Sequence, residues 1–365
     1  MVKTESIFHH SEEFELESGS KLPGFQLKYT TLGQLNKDKS NVVWVCHALT
    51  GSSDFTDWWK DFFTEGSPYD PRDYFIICAN TLGGCYGSTG PLSINPKSGK
   101  NFFHDFPLVT NRDVVRAFDL LRESLGIDKV HTLIGGSLGG QQALEWAIQQ
   151  PTVFHNLIAI ACNAFHSPWG IAFNEAQRMA IAADSTWKEN DVRAGVEGMK
   201  AARAMGMISF RTYETFEETQ SEKENQKIDD FRASSYQRYQ GQKLASRFNA
   251  YSYWLLTKMM DSHQVGRNRN SVVQALKQIQ ARTLVVGIDS DLLFPLREQK
   301  YLAHHIPGAQ LNVIESLYGH DGFLVEFGKF KKLVNQFLRS PKKEQEVVLT
   351  EASSTDFDSL EDINL

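Results

Sequence analysis

The fold is decided at Val130-His131-Thr132-Leu133-Ile134-Gly135-Gly136-Ser137-Leu138-Gly139, an apolar run that ends in a serine between glycines. The run at 130–134 is typical of a short buried strand, and apolar residues recur at helical spacing from Ala143 to Ile148. Glycines two positions before and two positions after a serine permit the sharp turn that lifts its hydroxyl above a sheet. We therefore predict that Ser137 is a nucleophile at the turn from a strand into a helix.

Short apolar runs alternate with helical patterns up to about residue 165. The runs lie at residues 42–46, 74–78, 130–134 and 157–161. Their continuous apolarity suits a mostly parallel sheet with helices on both faces. The alternation returns at residues 283–288 and 311–314. Predicted strands thus lie on both sides of the segment between residues 161 and 283. This arrangement predicts one doubly wound α/β sheet that is interrupted by an insertion.

The insertion has a different composition from the flanking segments. We place the core at residues 1–165 and 272–340, an inserted helical cap at 166–271, and an acidic, disordered tail at 341–365. The insertion holds six of the seven methionines of the chain and several aromatic residues. Such side chains either form the adaptable apolar wall of a site that the cap covers, or are the core of a small helical bundle.

Composition and charge exclude several classes of protein. The hydrophobic content of 41% and the charged content of 22% are typical of a soluble globular protein. A formal net charge of −6, without a dense basic stripe, argues against nucleic-acid binding. No apolar run approaches the roughly 18 residues that a membrane span requires, and we expect no signal peptide. The four cysteines lack metal-ligand spacing, so we expect a cytoplasmic protein with no metal site and no membrane association.

Candidate partners of the serine follow the last two predicted strands. A serine hydroxyl needs a base to take its proton, and an imidazole base works best when a carboxylate fixes its tautomer. In α/β-hydrolase folds these groups follow in the order serine, acid, histidine, each after a strand. The strand at 283–288 leads to Asp289 and Asp291, either of which could be the acid, and the strand at 311–314 leads to His320.

The loop at residues 46–51, which follows the first strongly apolar strand, is a third element. Loops in this position provide one backbone N–H of an oxyanion hole, and the residue after the nucleophile provides the other. We assign these groups to Leu49 and Leu138. His47 lies in the same loop, where it either contributes to function or makes a structural hydrogen bond.

Several longer stretches go beyond a general hydrolase pattern. They lie at residues 47–53, 80–91, 135–146, 173–178, 290–295 and 320–324. Together they resemble homoserine O-acetyltransferases, and the resemblance covers roughly residues 10–340. It implies an α/β-hydrolase fold used for acyl transfer, with Ser137 as the nucleophile, Asp291 as the acid of the triad and His320 as the base.

The resemblance also implies two residues that bind the substrate. The family has an arginine that holds the homoserine carboxylate seven residues before a tyrosine, which corresponds to Arg203, although Phe210 stands at the tyrosine position. Asp321, directly after the catalytic histidine, is implied to bind the substrate ammonium group. Leu138 stands where methionine is usual, and we expect little effect because the oxyanion donor is a backbone group.

The function implied is acetyl transfer from acetyl-CoA to the γ-hydroxyl of L-homoserine, a step of methionine synthesis. The reaction would be ping-pong through an acyl-Ser137 intermediate, with acetyl-CoA as a substrate and no bound cofactor. The resemblance also suggests a homodimer formed through the helical cap. The alternatives are a homoserine O-succinyltransferase, a serine O-acetyltransferase, and an esterase or deacetylase that uses water as acceptor. A catalytically inactive fold used for binding is disfavoured by the complete Ser–Asp–His set.

Overall fold

The computed structural model describes residues 3–59, 61–224 and 226–340, so the predicted tail at 341–365 lies outside the described residues. Its centre is an eight-stranded sheet. The strands are β1 (Thr4–His10), β2 (Phe25–Leu32), β3 (Val42–Cys46), β4 (Phe75–Ala79), β5 (Val130–Gly136), β6 (Phe154–Ile160), β7 (Arg282–Ile288) and β8 (Gln310–Ile314). Their spatial order is β1-β2-β4-β3-β5-β6-β7-β8. The six strands from β4 to β8 in this order are parallel, whereas β2 is antiparallel to both of its neighbours.

All six apolar runs of the sequence form the parallel strands, so this prediction is confirmed. The strands inside the sheet are covered on both faces because their alternate side chains enter two separate cores, whereas the edge strand β8 is largely half-exposed. Trp44 of β3 packs in the core that also contains residues of the helices at 111–124 and 138–149. Its neighbours Val43 and Val45 lie in the second core, which includes Phe330 of the last helix.

Within the described residues, seven helices belong to the two segments that form the sheet. They are α1 (Phe55–Trp58), α2 (Asn111–Ser124), α3 (Leu138–Gln149), α9 (Val272–Leu276), α10 (Leu296–His305), α11 (Gly322–Val325) and α12 (Phe327–Arg339). Helix α2 begins with a capping box, in which the side chains of Thr110 and Asp113 each accept a hydrogen bond from the other's backbone N–H. It ends just before Gly126, whose φ of 64° suits the left-handed turn after a helix.

Short elements complete this part of the molecule. Two-residue strands pair at Phe14–Glu15 with Lys21–Leu22 and at Ile94–Asn95 with Lys100–Asn101, and 3-10 turns lie at Phe103–Asp105 and Gly319–Asp321. Among the helices of the described residues, none has both the length and the hydropathy that are needed to cross a membrane.

The insertion between β6 and β7 consists of helices. They are α4 (Pro168–Ala182), α5 (Val196–Phe210), α6 (Tyr213–Gln220), α7 (Arg232–Ala245) and α8 (Ala250–Asp261). The chain enters and leaves this cap through two adjacent segments. The His166 N–H donates to the His263 carbonyl at 2.9 Å, and the Val265 N–H donates to the Ala164 carbonyl at 3.0 Å.

Most methionines of the cap do not line a site. Met199, Met207 and Met259 are buried in the core of the cap, Met179 is 64% exposed, and Met260 borders the cavity described below. For the buried three, the helical-bundle alternative is therefore the correct one.

Candidate active site

Ser137 lies at the turn between β5 and α3, in the strained conformation φ 56°, ψ −125°. Its backbone N–H donates to the Ile160 carbonyl at 2.9 Å, and its carbonyl accepts from the Gln141 N–H at 3.0 Å. Two glycines allow the turn. A Cβ on Gly139 would lie 2.1 Å from the Cys46 carbonyl oxygen, and a Cβ on Gly135 would lie 2.1 Å from that of Gly139. The predicted strand–turn–helix is therefore present, and only glycine fits at these two positions.

The structure brings three predicted residues into one hydrogen-bonded chain. Ser137 Oγ lies 2.9 Å from His320 Nε2, and His320 Nδ1 lies 2.7 Å from Asp291 Oδ2. Because a carboxylate only accepts, Nδ1 carries the proton in the neutral ring and Nε2 is free to accept from the serine hydroxyl. The three residues are only 4–5% exposed. This arrangement can deprotonate a serine for attack on a carbonyl carbon.

The surroundings of His320 favour its protonated form. Burial alone disfavours the imidazolium and would lower the pKa of His320. The charge and hydrogen bond of Asp291, together with the charge of Asp321, outweigh burial and raise the pKa of His320 above its ordinary value. The Phe294 ring stacks on the imidazole with centroids 5.1 Å apart, and Phe323 meets it edge-on at 5.6 Å. These rings hold the imidazole plane in line with both of its hydrogen bonds.

Asp291 and Asp289 have different partners, although the sequence pattern alone left either as the acid. The second oxygen of Asp291 accepts from the backbone N–H groups of Leu293 and Phe294 at 2.8 and 2.9 Å. Asp289 instead accepts from the Ser316 N–H at 2.9 Å. The backbone of its own loop thus positions Asp291 for its hydrogen bond to the histidine. Asp289 instead connects the segments that follow β7 and β8.

His47 has a structural role in the loop that contains Leu49. Its Nε2 accepts from the Thr81 N–H at 3.0 Å, so its Nδ1 carries the proton and donates to the Ala48 carbonyl at 2.9 Å. Burial lowers the pKa of His47 to about 4, which keeps the ring neutral at physiological pH. From the cap, Arg247 donates to the Thr50 carbonyl at 2.7 Å. The loop is therefore held by the Thr81 backbone of the core and by Arg247 of the cap.

A cavity of about 200 Å³ lies between the core and the cap. Ser137, His320 and Leu49 border it from the core, and Gln177 and Arg203 border it from the cap. Leu138 is the first residue of α3, where a helical N–H has no partner within the helix. Of the two predicted oxyanion residues, Leu49 thus borders the same cavity as the serine, and Leu138 follows the serine directly in the chain.

The two predicted substrate residues, Arg203 and Asp321, both border this cavity. The Arg203 guanidinium lies over the Phe210 ring, 5.2 Å from its centroid, and has no carboxylate partner among the described residues. Asp321 forms an ion pair with Arg211, whose Nε lies 2.9 Å from Asp321 Oδ2. The Arg203 guanidinium and a carboxylate that Asp321 shares with Arg211 therefore border the same cavity.

Arg211, Arg247 and the ring of Phe294 were not predicted as functional from the sequence. No short-range pattern marks them. Arg211 and Arg247 contact residues that are distant in the chain, and Phe294 lies in a bend. Among the described residues, no group of three or more His, Cys, Asp or Glu side chains is placed to hold a metal. The four cysteines are free thiols, of which Cys46, Cys78 and Cys162 are buried.

Comparison with known proteins agrees with this architecture. Residues 41–327 match the family defined by the alpha/beta hydrolase fold. A homoserine O-acetyltransferase of Cyclobacterium marinum is 51% identical over 334 residues, which are 92% of this chain and 95% of that protein. One of Chlorobaculum parvum is 44% identical over 92% of this chain and 94% of its own length.

Solved structures with the same fold superpose on most of this chain. The homoserine O-acetyltransferase of Bacillus anthracis superposes with a TM-score of 0.86 at 25% identity, covering 94% of this chain and all of that one. A mutant of esterase E22 superposes with a TM-score of 0.85 at 24% identity, covering 93% of this chain and all of that one, and this likeness concerns the fold alone. The predicted fold class is confirmed, and the chain belongs to the homoserine O-acetyltransferase family of the alpha/beta hydrolase fold.

Proposed function

We propose that the protein moves an acetyl group from acetyl-CoA to the γ-hydroxyl of L-homoserine through an acyl-Ser137 intermediate. One observation carries the proposal. An activated serine shares a small cavity with the unpaired Arg203 guanidinium and the Asp321 carboxylate. A cation and an anion beside a nucleophile suit an amino-acid acceptor, whose carboxylate and ammonium groups need opposite charges.

In the first half-reaction, His320 Nε2 takes the proton of Ser137 while Oγ attacks the thioester carbonyl carbon. The tetrahedral oxyanion is stabilised by the backbone N–H groups of Leu49 and Leu138. The carbon–sulfur bond then breaks, and His320 returns the proton to the sulfur, so that free CoA leaves. Asp291 stabilises the imidazolium that exists between these two proton transfers.

In the second half-reaction, homoserine takes the place of CoA. His320 takes the proton of the γ-hydroxyl, whose oxygen attacks the acetyl carbonyl carbon. The bond to Ser137 Oγ breaks and the serine regains a proton from His320. O-acetylhomoserine is released, and the enzyme returns to its first state.

Arg203 binds the homoserine carboxylate in this proposal, and Asp321 binds the ammonium group. Phe210 contributes no hydroxyl beside Arg203, so its ring supports the guanidinium only by stacking. Asp321 keeps lone pairs for an ammonium group while Arg211 shares its charge. The cap closes over these groups and thereby limits the access of water, which would otherwise take the acetyl group.

Release of free thiol from acetyl-CoA tests the reaction, with L-homoserine, L-serine or no acceptor added to the purified enzyme. We expect steady release only with homoserine, matched by an equal amount of O-acetylhomoserine. Equal release without an acceptor would make the protein an esterase or deacetylase. Turnover with serine, or with succinyl-CoA in place of acetyl-CoA, would establish the corresponding alternative transferase.

We further infer that two copies associate through their caps. The outer surface of the cap carries exposed apolar side chains, including Ile208 at 59% and Tyr213 at 73% exposure. Apolar patches of this kind on a folded surface are typical of contact sites between subunits. The exposed apolar surface also includes Met205, Phe231 and Tyr239. It thus extends across α5, α6 and α7 or their ends.

Size-exclusion chromatography with light scattering measures the association. We expect the mass of a dimer for the native protein, and we expect Ile208→Glu to weaken the dimer roughly tenfold or more, because it places a charge in an apolar contact. Ile94→Glu is the matched control, since Ile94 is 65% exposed on a short hairpin of the core. A monomeric native protein, or equal effects of both variants, would contradict a contact through the cap.

A further inference from the structure

Gln177 of α4 borders the cavity, and its amide has a fixed orientation. Its Nε2 donates to the Phe173 carbonyl at 3.0 Å, and its Oε1 accepts from the hydroxyl of Tyr253. A carbonyl oxygen cannot donate, so the amide nitrogen must face Phe173 and the amide oxygen must face Tyr253. The side-chain amide cannot turn over without breaking both hydrogen bonds.

Tyr253 is suited to the role of a permanent donor. It is fully buried on α8, and burial raises the pKa of its hydroxyl to about 12. The hydroxyl therefore keeps its proton at physiological pH and continues to point it at Gln177. Tyr253 does not border the cavity, so it acts on any bound molecule only through Gln177.

One N–H of the Gln177 amide remains without an acceptor among the described residues. An amide nitrogen has two hydrogens, and Phe173 accepts one of them. Gln177 packs against α5 beside Arg203. A Cβ built on Gly206, one turn after Arg203, would lie 3.1 Å from Gln177 Oε1 and also 3.1 Å from the Phe210 ring. The amide oxygen thus faces α5, and the nitrogen that carries the free N–H belongs to a side chain that borders the same cavity as Arg203.

We propose that Gln177 donates this N–H to the substrate carboxylate that Arg203 holds, and so determines specificity for a carboxylate-bearing acceptor; this rests on the function proposed above. A carboxylate has two oxygens and accepts several hydrogen bonds. Arg203 supplies the charge, while the Phe210 ring against which its guanidinium stacks offers no donor. Gln177, oriented by Tyr253, supplies the second donor and fixes how the acceptor lies.

The test compares Gln177→Met and Tyr253→Phe with the native enzyme, using L-homoserine and 3-aminopropan-1-ol, which lacks only the carboxylate. We expect Gln177→Met to lower kcat/KM for homoserine roughly tenfold or more, since a hydrogen bond to a charged group is lost, and to leave 3-aminopropan-1-ol unchanged. Tyr253→Phe should cause a smaller loss of roughly threefold, because the amide remains but can rotate. The single burst of CoA release without acceptor should be unchanged in both.

Tyr251→Phe is the matched control, because Tyr251 lies on the same helix and its hydroxyl donates to the carbonyls of Glu189 and Asp191. We expect the control to resemble the native enzyme with both acceptors. Equal losses with both acceptors, or an unchanged kcat/KM for homoserine in Gln177→Met, would overturn the proposal. Failure of the native enzyme itself to acetylate homoserine would instead overturn the proposed function, and this inference with it.

Discussion

Replacement of Ser137 by alanine is expected to lower kcat roughly 10⁴- to 10⁶-fold, because it removes the hydroxyl that is hydrogen-bonded to the His320 base. The burst of CoA release should disappear, and mass spectrometry should detect no acetyl group on the protein after incubation with acetyl-CoA. The fold should be retained, since alanine removes only an oxygen whose partner is the His320 ring.

Ser124→Ala provides the control for this variant, because Ser124 is an exposed residue at the end of α2, bonded to the Leu121 carbonyl. It should keep native turnover and a native melting temperature. Retention of the CoA burst in Ser137→Ala would show that acyl transfer does not pass through this serine.

Asp291→Asn is expected to lower kcat roughly 10³- to 10⁴-fold, because an asparagine cannot hold His320 in the required tautomer or stabilise its imidazolium. Asp289→Asn is the matched control. Its carboxylate lies two positions earlier and accepts only a backbone N–H, which an amide oxygen can also accept. Comparable losses in both variants would contradict the assignment of Asp291 as the acid.

The same pair of variants predicts a change in pH dependence. His320 must be neutral to act as a base, and Asp291 and Asp321 raise its pKa above the ordinary value. In the native enzyme, kcat/KM for acetyl-CoA should therefore fall with decreasing pH through that raised pKa. Loss of the Asp291 charge lowers the pKa of His320, so the acid limb should move to lower pH in Asp291→Asn and stay in place in Asp289→Asn.

The sequence was informative wherever local patterns determine structure. The inner parallel strands were predictable because strands buried on both faces are continuously apolar, as in Val42–Cys46. The contact among Ser137, Asp291 and His320 was predictable because each follows a strand of one parallel sheet, whose strand ends meet at one edge. Strands β1 and β2 were missed, since their alternating, half-exposed side chains give no continuous apolar run.

Long-range pairs could not be predicted from patterns of this kind. Arg211 and Asp321 meet although they are far apart in the chain, and nothing near either residue indicates the other. The cap posed a related problem. Its methionines suit both a cavity wall and a helical core, and only the packing of α4, α5 and α8 decides that Met199 is core and Met260 is wall.

The chain enters and leaves the cap through two adjacent segments, so the cap can be exchanged as one unit without changing the sheet. The segment between His166 and His263 begins and ends one hydrogen bond apart, so its length adds little to the entropy of closing the core. Arg203 and Gln177 lie inside this segment, whereas Ser137, Asp291 and His320 lie outside it. Recognition of the acceptor carboxylate, which we propose for Arg203 and Gln177, can therefore change within this insert, while Asp321 and the residues proposed to form the acyl-enzyme lie outside it.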